Sequence, residues 1–285
     1  MKAKRFFSVI PYIILACLLS CQKEETGIDE KRPVTFTSSV IRDNNGITRA
    51  SGTAWSANDA IGIFMKKNGL DLHQDNILNN ASNIKYVTPQ GNQQFTPDNV
   101  SQAISFPTGE TVDFIAYYPY QENITGYIYK VDVADQSTIE KKEKADLLYS
   151  VNAVGKSSAT PFVDMTFTHE LAKLVFTIST ENAIASLEGL TITVSGTKTK
   201  ADFNLVNGKL IVDDSSIGRD ITALTTVSSD KLTATGEAII LPSQGGSSVI
   251  ISFRLPDGSE FKHTIPTNKN FEKGQNYKYE IVLKI

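Results

Sequence analysis

What most constrains this chain is the lack of a helical rhythm. Short runs rich in Val, Ile, Thr, Phe and Tyr are broken repeatedly by Gly, Asn, Asp or Pro, and no long segment keeps an apolar period near 3.6 residues. The nearest approaches are Asp135 to Leu148, which is polar and rich in Lys and Glu, and the short stretch Thr180 to Leu187. The texture predicts an all-β chain.

Individual strands can be placed from alternation and turn chemistry. Val34, Phe36 and Ser38 alternate with Thr35 and Thr37, giving a first strand, and Arg42 to Gly46 follows as a loop. Ile61, Ile63 and Met65 set another strand after Trp55 and the turn-prone Ser56-Ala57-Asn58-Asp59. Residues 66–100 are polar, with strand candidates at Ile84 to Val87 and around Phe95. Val112, Phe114, Ala116 and Tyr118 share one face of a run whose other face carries Ile115 and Tyr117. That strand is expected to be buried on both sides.

From residue 165 the pattern is more regular. Met165 to His169, Leu174 to Ile178, Leu190 to Val194 and Ala238 to Leu241 read as strands. Phe203 to Val212 reads as a hairpin turning at Asn207-Gly208, where a positive φ is cheap. Val249 to Leu255 and Glu260 to Ile265 flank Pro256-Asp257-Gly258 as a second hairpin, and Tyr277 to Leu283 alternates as a last strand. Even spacing with turn signals points to β-sandwiches, divided near residue 165 into an N-terminal domain, 33–164, and a C-terminal domain, 165–285.

The first residues speak to compartment. Lys2, Lys4 and Arg5 precede an apolar stretch, Phe6 to Leu19, that is short for a membrane span. It ends in Leu18-Leu19-Ser20-Cys21, a small residue before a cysteine. That is the pattern of a lipoprotein signal peptide, residues 1–20, cut before an acylated Cys21. Residues 21–32 then form a flexible tether. A solvated linker accounts for Gln22-Lys23-Glu24-Glu25, and the run also resembles the surface-export signal of one group of Gram-negative lipoproteins. Acyl chains on Cys21 add about 0.8 kcal/mol per buried methylene and anchor the chain to the outer membrane without a spanning helix.

The formal charge of the whole sequence is −3, and the cations of residues 1–20 leave with the signal, so the exported chain is more acidic still. With no basic block, nucleic acid is not an expected partner. Cys17 leaves as well, so the exported body is expected to hold together by its core rather than by a disulfide.

Signals for catalysis are thin. His73, His169 and His263 lie far apart, and none stands at metal-ligand spacing with another His or Cys. No metal, cofactor or catalytic residue is expected. His169, beside Glu170 among core-like residues, reads as a hydrogen-bonded structural histidine. Gly155-Lys156-Ser157 lacks the first glycine and following helix of a phosphate loop. Ser195-Gly196-Thr197-Lys198 ends a strand rather than spanning a helical turn. Phe114, Tyr117, Tyr118 and Tyr120 would stack on sugar rings if exposed; burial on both faces favours a core role. Arg49, in Ile47-Thr48-Arg49-Ala50, stands in a polar loop where a trypsin-like protease would cut between Arg49 and Ala50.

With these residues laid out, the chain resembles the fimbrillin-like family of lipoprotein pilus subunits, the type V pilins. The resemblance runs in order from the lipobox at Cys21 through Thr48-Arg49-Ala50 and Trp55 to Ile63. It continues through Phe114 to Tyr120, Asp146 to Tyr149, Phe167 to Leu174 and Phe271 to Tyr279. It implies two transthyretin-like β-sandwich domains in tandem. It also implies cleavage after Arg49, loss of the first strand, and donor-strand exchange, in which a strand from another pilus subunit fills the groove left behind. Polymerising members carry a C-terminal donor extension, whereas this chain stops at Ile285, soon after the Tyr277 to Leu283 strand. An accessory, tip or anchor subunit is therefore expected rather than a stalk subunit. The alternative is a surface-anchored adhesin, holding a host protein or glycan, that does not polymerise.

Overall fold

The computed structural model describes residues 33–41, 55–181, 184–213, 218–243, 246 and 248–284. The strands of the first half are β1 (Thr35–Val40), β2 (Asp59–Lys67), β3 (Ile84–Thr88), β4 (Gln94–Pro97), β5 (Val112–Tyr118), β6 (Ile128–Asp132), β7 (Leu148–Ser150) and β8 (Phe162–His169). One helix, α1 (Ile139–Ala145), falls inside the Lys/Glu-rich stretch, and the Thr138 side chain caps it by accepting from the Lys141 amide. The second half follows as β9 (Ala172–Thr180), β10 (Thr191–Ser195), β11 (Lys200–Asn204), β12 (Lys209–Val212), β13 (Ile221–Thr222) and β14 (Leu224–Val227). It ends with β15 (Thr233–Ile240), β16 (Val249–Arg254), β17 (Glu260–Ile265) and β18 (Asn276–Leu283). Thr180 belongs to β9, and Ile184 to Leu187 is irregular rather than helical.

The first half closes into a ring in the order β1-β4-β3-β2-β5-β7-β8, with β1 lying parallel to β8 and completing the circuit. Alternation explains what fills it. Ile61, Ile63 and Met65 from β2 meet Val112, Phe114, Ala116 and Tyr118 from β5 in the ring interior. Phe64, Ile115 and Tyr117 point the other way, into a second core shared with Leu174, Phe176, Phe203 and Phe253. β5 is buried along its whole length, as its two apolar faces require.

The second half is built from two four-stranded sheets, β13-β10-β16-β17 and β14-β15-β9-β18. They stack through Phe176 and Phe253, whose ring centroids are 6.2 Å apart, and through Gly236, where an added Cβ would stand 2.5 Å from Ile192 Cδ1. The two sides of this stack differ. On one, β13 and β14 are a single stretch that changes sheet at buried Ala223, so the chain itself closes the seam. On the other, β17 and β18 are both outermost strands.

The expected hairpins form. Gly208, at φ 67°, turns β11 into β12, with Asn204 and Asn207 side chains accepting from the Val206 and Lys209 amides. Gly258, at φ 93°, turns β16 into β17 while Asp257 accepts from the Ser259 amide. Two pairings cross the middle of the sequence. β8 runs through residue 165 as part of the ring, and β6 pairs with β11, joining β12 in a third sheet. Gln136 adds a side-chain link of the same kind. Fully buried, it donates to the Val133 and Ile239 carbonyls and accepts from the Ile239 amide, standing in for a strand partner.

Candidate functional site

β1 is the element whose placement bears most directly on function. It is bonded on both sides: parallel to β8 from Thr35↔Phe162 to Val40↔Phe167, and antiparallel to β4 at Phe36↔Phe95 and Thr37↔Gln94. Its entry is fixed by a short relay. The Val34 amide donates to the Ile104 carbonyl at 2.9 Å, and the Ile104 amide donates to the Tyr86 hydroxyl at 2.8 Å. The alternation read from the sequence sets the inner row, Val34, Phe36 and Ser38, all buried. Phe36 meets Tyr86 and Phe114 edge-on, with centroids 5.0 and 5.2 Å away. Ser38 fits less well: its hydroxyl is buried with no hydrogen-bond partner among the described residues.

β1 ends where the chain returns to the ring. The Ile41 amide donates to the Phe167 carbonyl at 2.9 Å, and the Trp55 ring stands edge-on to the Phe167 ring at 5.3 Å. Ile41 and Trp55, the described residues on either side of 42–54, therefore both meet the same residue of β8. Arg49, Ala50 and Cys21 themselves lie outside the described residues. Trp55 also packs on Phe95 and Tyr118. Beside it, Asp59 accepts from the Ser56 amide at 2.7 Å and the Tyr118 hydroxyl at 3.0 Å, and Ser56 Oγ donates to Glu143 at 3.1 Å. Burial raises the Asp59 pKa, against those hydrogen bonds and with help from nearby Glu143. Burial, then the neighbouring carboxylate, also raises that of Tyr118.

The other residues weighed for chemistry have structural roles. His169 Nδ1 lies 2.9 Å from Asp146 Oδ1, as a structural histidine should. His73 is an exposed partner of Asp75, and His263 leans on the Tyr279 ring. Among the described residues no cluster of three His, Cys, Asp or Glu could hold a metal ion. Tyr117 is buried, its hydroxyl donating to Asn83 and Gln121, and Tyr118 is buried against Asp59. Tyr120 is partly exposed beneath Lys85.

The Gly155-Lys156-Ser157 segment proves to be half of a clamp that sequence reasoning missed. Asp113, the lone acid in β5, accepts from Lys66 Nζ (2.8 Å), Asn68 Nδ2 (2.6 Å) and the Gly69 and Gly155 amides (both 2.9 Å). Burial pushes its pKa up, but these donors outweigh it and hold the carboxyl at about 2. An acid inside an otherwise apolar strand was the signal available in the sequence.

Comparison with known proteins now fits this geometry. A fimbrillin-like family model matches residues 48–285. The chain belongs to the fimbrillin-like family. A curated relative from Bacteroides uniformis, provisionally named fimbrium subunit Fim1C, is 34% identical over 95% of this fimbrillin-like chain and 88% of its own length. A crystal structure from the same species, provisionally described as a cell adhesion protein, shares 29% identity. It superposes with a TM-score of 0.67 over 90% of this chain and 94% of that one. A second, from Bacteroides ovatus, has the same fold at 21% identity, with a TM-score of 0.69 over 88% of this chain and 92% of that one.

Proposed function

We propose that this fimbrillin-like chain is a structural, non-enzymatic fimbrial subunit or accessory subunit, exported as a lipoprotein on Cys21 and displayed at the outer-membrane surface. In this reading a protease cuts after Arg49, β1 departs with the lipid, and a strand from a neighbouring pilus subunit takes its place. The two transthyretin-like units implied by the family, divided near residue 165, give an N-terminal unit carrying the groove and a C-terminal unit completing the subunit.

The observation that carries the reading is the lodging of β1. It fills a slot between β4 and β8, yet remains joined to the ring through a segment whose two ends both meet Phe167. Its removal would expose the backbone edges of β4 and β8 and the pocket formed by Tyr86 and Phe114 around Phe36. A strand with alternating apolar residues repairs both losses. The family model begins at Thr48, beside Arg49. The relatives named for a fimbrium subunit and for cell adhesion support a role among other pilus subunits. Inward-facing Tyr117 and Tyr118 weigh against a glycan-stacking face at that run.

The test is intact mass and N-terminal sequencing of the protein recovered from surface filaments and from membranes. A filament form beginning at Ala50 is the expected result. Only an acylated Cys21 form, confined to membranes, would overturn maturation and leave a surface-anchored adhesin that does not polymerise.

A further inference from the structure

The open side of the second half carries a different interface. Among the described residues, β18 pairs with β9 alone. The Lys173 amide donates to the Gln275 carbonyl at 2.9 Å and the Glu181 amide to the Leu283 carbonyl at 3.2 Å, so the odd-numbered residues turn their backbone groups toward β9. The even-numbered residues Asn276, Lys278, Glu280 and Val282 turn theirs to the outer edge, and their side chains are exposed. β17, the edge of the facing sheet, does not pair with β18. Between the two edges lies a groove of about 330 Å³ whose apolar lining includes Phe253, Phe261, Ile281 and Leu283. The other edge strands of these sheets, β13 and β14, have two and four residues, whereas β17 and β18 have six and eight. A long, regular edge beside an apolar groove is a template for another strand.

We propose that the occupant is β18 of a second copy, paired antiparallel about a two-fold axis at Tyr279. The strand's own sequence selects that register. The outward-pointing backbone groups require even residues to face even residues. Centring on Lys278 or Glu280 sets like charges directly opposite each other, centring on Ile281 opposes Lys278 to Lys284, and centring on Tyr277 or Val282 overlaps the two strands over only three residues. Centring on Tyr279 opposes Lys278 to Glu280 twice, once on each side of the axis, and Asn276 to Val282. On the inner face Tyr277 then meets Ile281, and the aromatic rings of the incoming strand cover the groove. The result is one continuous sheet, β14-β15-β9-β18 followed by its two-fold mate, formed through an isologous contact. This interface is independent of strand exchange at β1, since a chain with β1 still in its slot carries it.

Sedimentation velocity across a concentration series, on the full exported chain kept unacylated by Cys21→Ser, tests the pairing. The expected result is a reversible monomer–dimer equilibrium. Lys278→Glu and Glu280→Lys should each weaken it roughly tenfold, because either change makes both cross-strand pairs repulsive. The double reversal, Lys278→Glu with Glu280→Lys, should restore the dimer. Far-UV circular dichroism should show the same folded β spectrum for all four proteins. A monomer at every concentration, a dimer indifferent to the single reversals, or a double reversal that stays weak would each overturn the proposal. None of these outcomes bears on cleavage at Arg49.

Discussion

β1 and β18 are related elements with opposite circumstances. β8 and β9 are neighbours in sequence, and each takes a strand distant in sequence in parallel, β1 on β8 and β18 on β9. β1 has partners on both edges, and Phe36 is sealed inside the ring. β18 has a partner on one edge, and of its residues only Leu283 is fully buried. A strand enclosed on two sides leaves only when the chain is cut and the ring opens. A strand enclosed on one side stays in place and accepts company. Parallel pairing is common to both, so it is closure that separates the element proposed for exchange from the one on which a contact is proposed to build.

The largest perturbation of that contrast is Phe36→Ala. Removing a fully buried ring that touches Tyr86 and Phe114 should cost about 4 kcal/mol, read as a lower urea midpoint for the chain with β1 in place. If β1 were only a surface strand like β18, the loss would be well under half of that. Asp113→Asn should come next, at about 3 kcal/mol, because it leaves Lys66 buried without its counter-charge. Here the pH dependence identifies the ring. The folded carboxyl is held below its ordinary value of about 3.9. Its contribution is therefore fully present above that value and is lost as pH falls through about 2. The wild-type chain should lose stability between those two limits, and the Asn variant should show a flatter acid limb in the same titration.

How far the sequence foretold this depended on what alternation can encode. It separates faces, so it assigned Val112, Phe114, Ala116 and Tyr118 to one core and Ile115 and Tyr117 to another, and it set the inner row of β1. Turn residues marked both hairpins, since Asn207-Gly208 and Asp257-Gly258 carry their own backbone preference. Alternation does not say which strand lies alongside or in which direction. The parallel seats of β1 and β18 and the long-range pairing of β6 with β11 were for that reason not legible. Nor were the Asp113 clamp and the Gln136 bridge, whose partners come from distant loops and strands. Cys21 and Arg49 are the reverse case: the lipidation and cleavage proposed for them rest on local sequence alone, and both lie outside the described residues.

The smallest expected effect concerns how well β1 suits its slot. Three buried positions face the ring interior, with partly buried Val40 beyond them, and two of the three, Val34 and Phe36, are apolar. The third, Ser38, buries a hydroxyl with no hydrogen-bond partner among the described residues. Leaving such a group unsatisfied costs about 1–3 kcal/mol, whereas a methyl group there carries no such cost. Ser38→Ala should therefore stabilise the uncut chain by about 1 kcal/mol, seen as a higher urea midpoint with an unchanged slope. An unchanged or lower midpoint would mean that the hydroxyl is satisfied and that β1 already fits as well as any strand could. The expected gain has a functional sense. Under the proposed strand exchange, a resident strand with one poor side chain would hold the ring closed before cleavage, yet leave room for an incoming strand with an apolar residue at that position to bind more tightly.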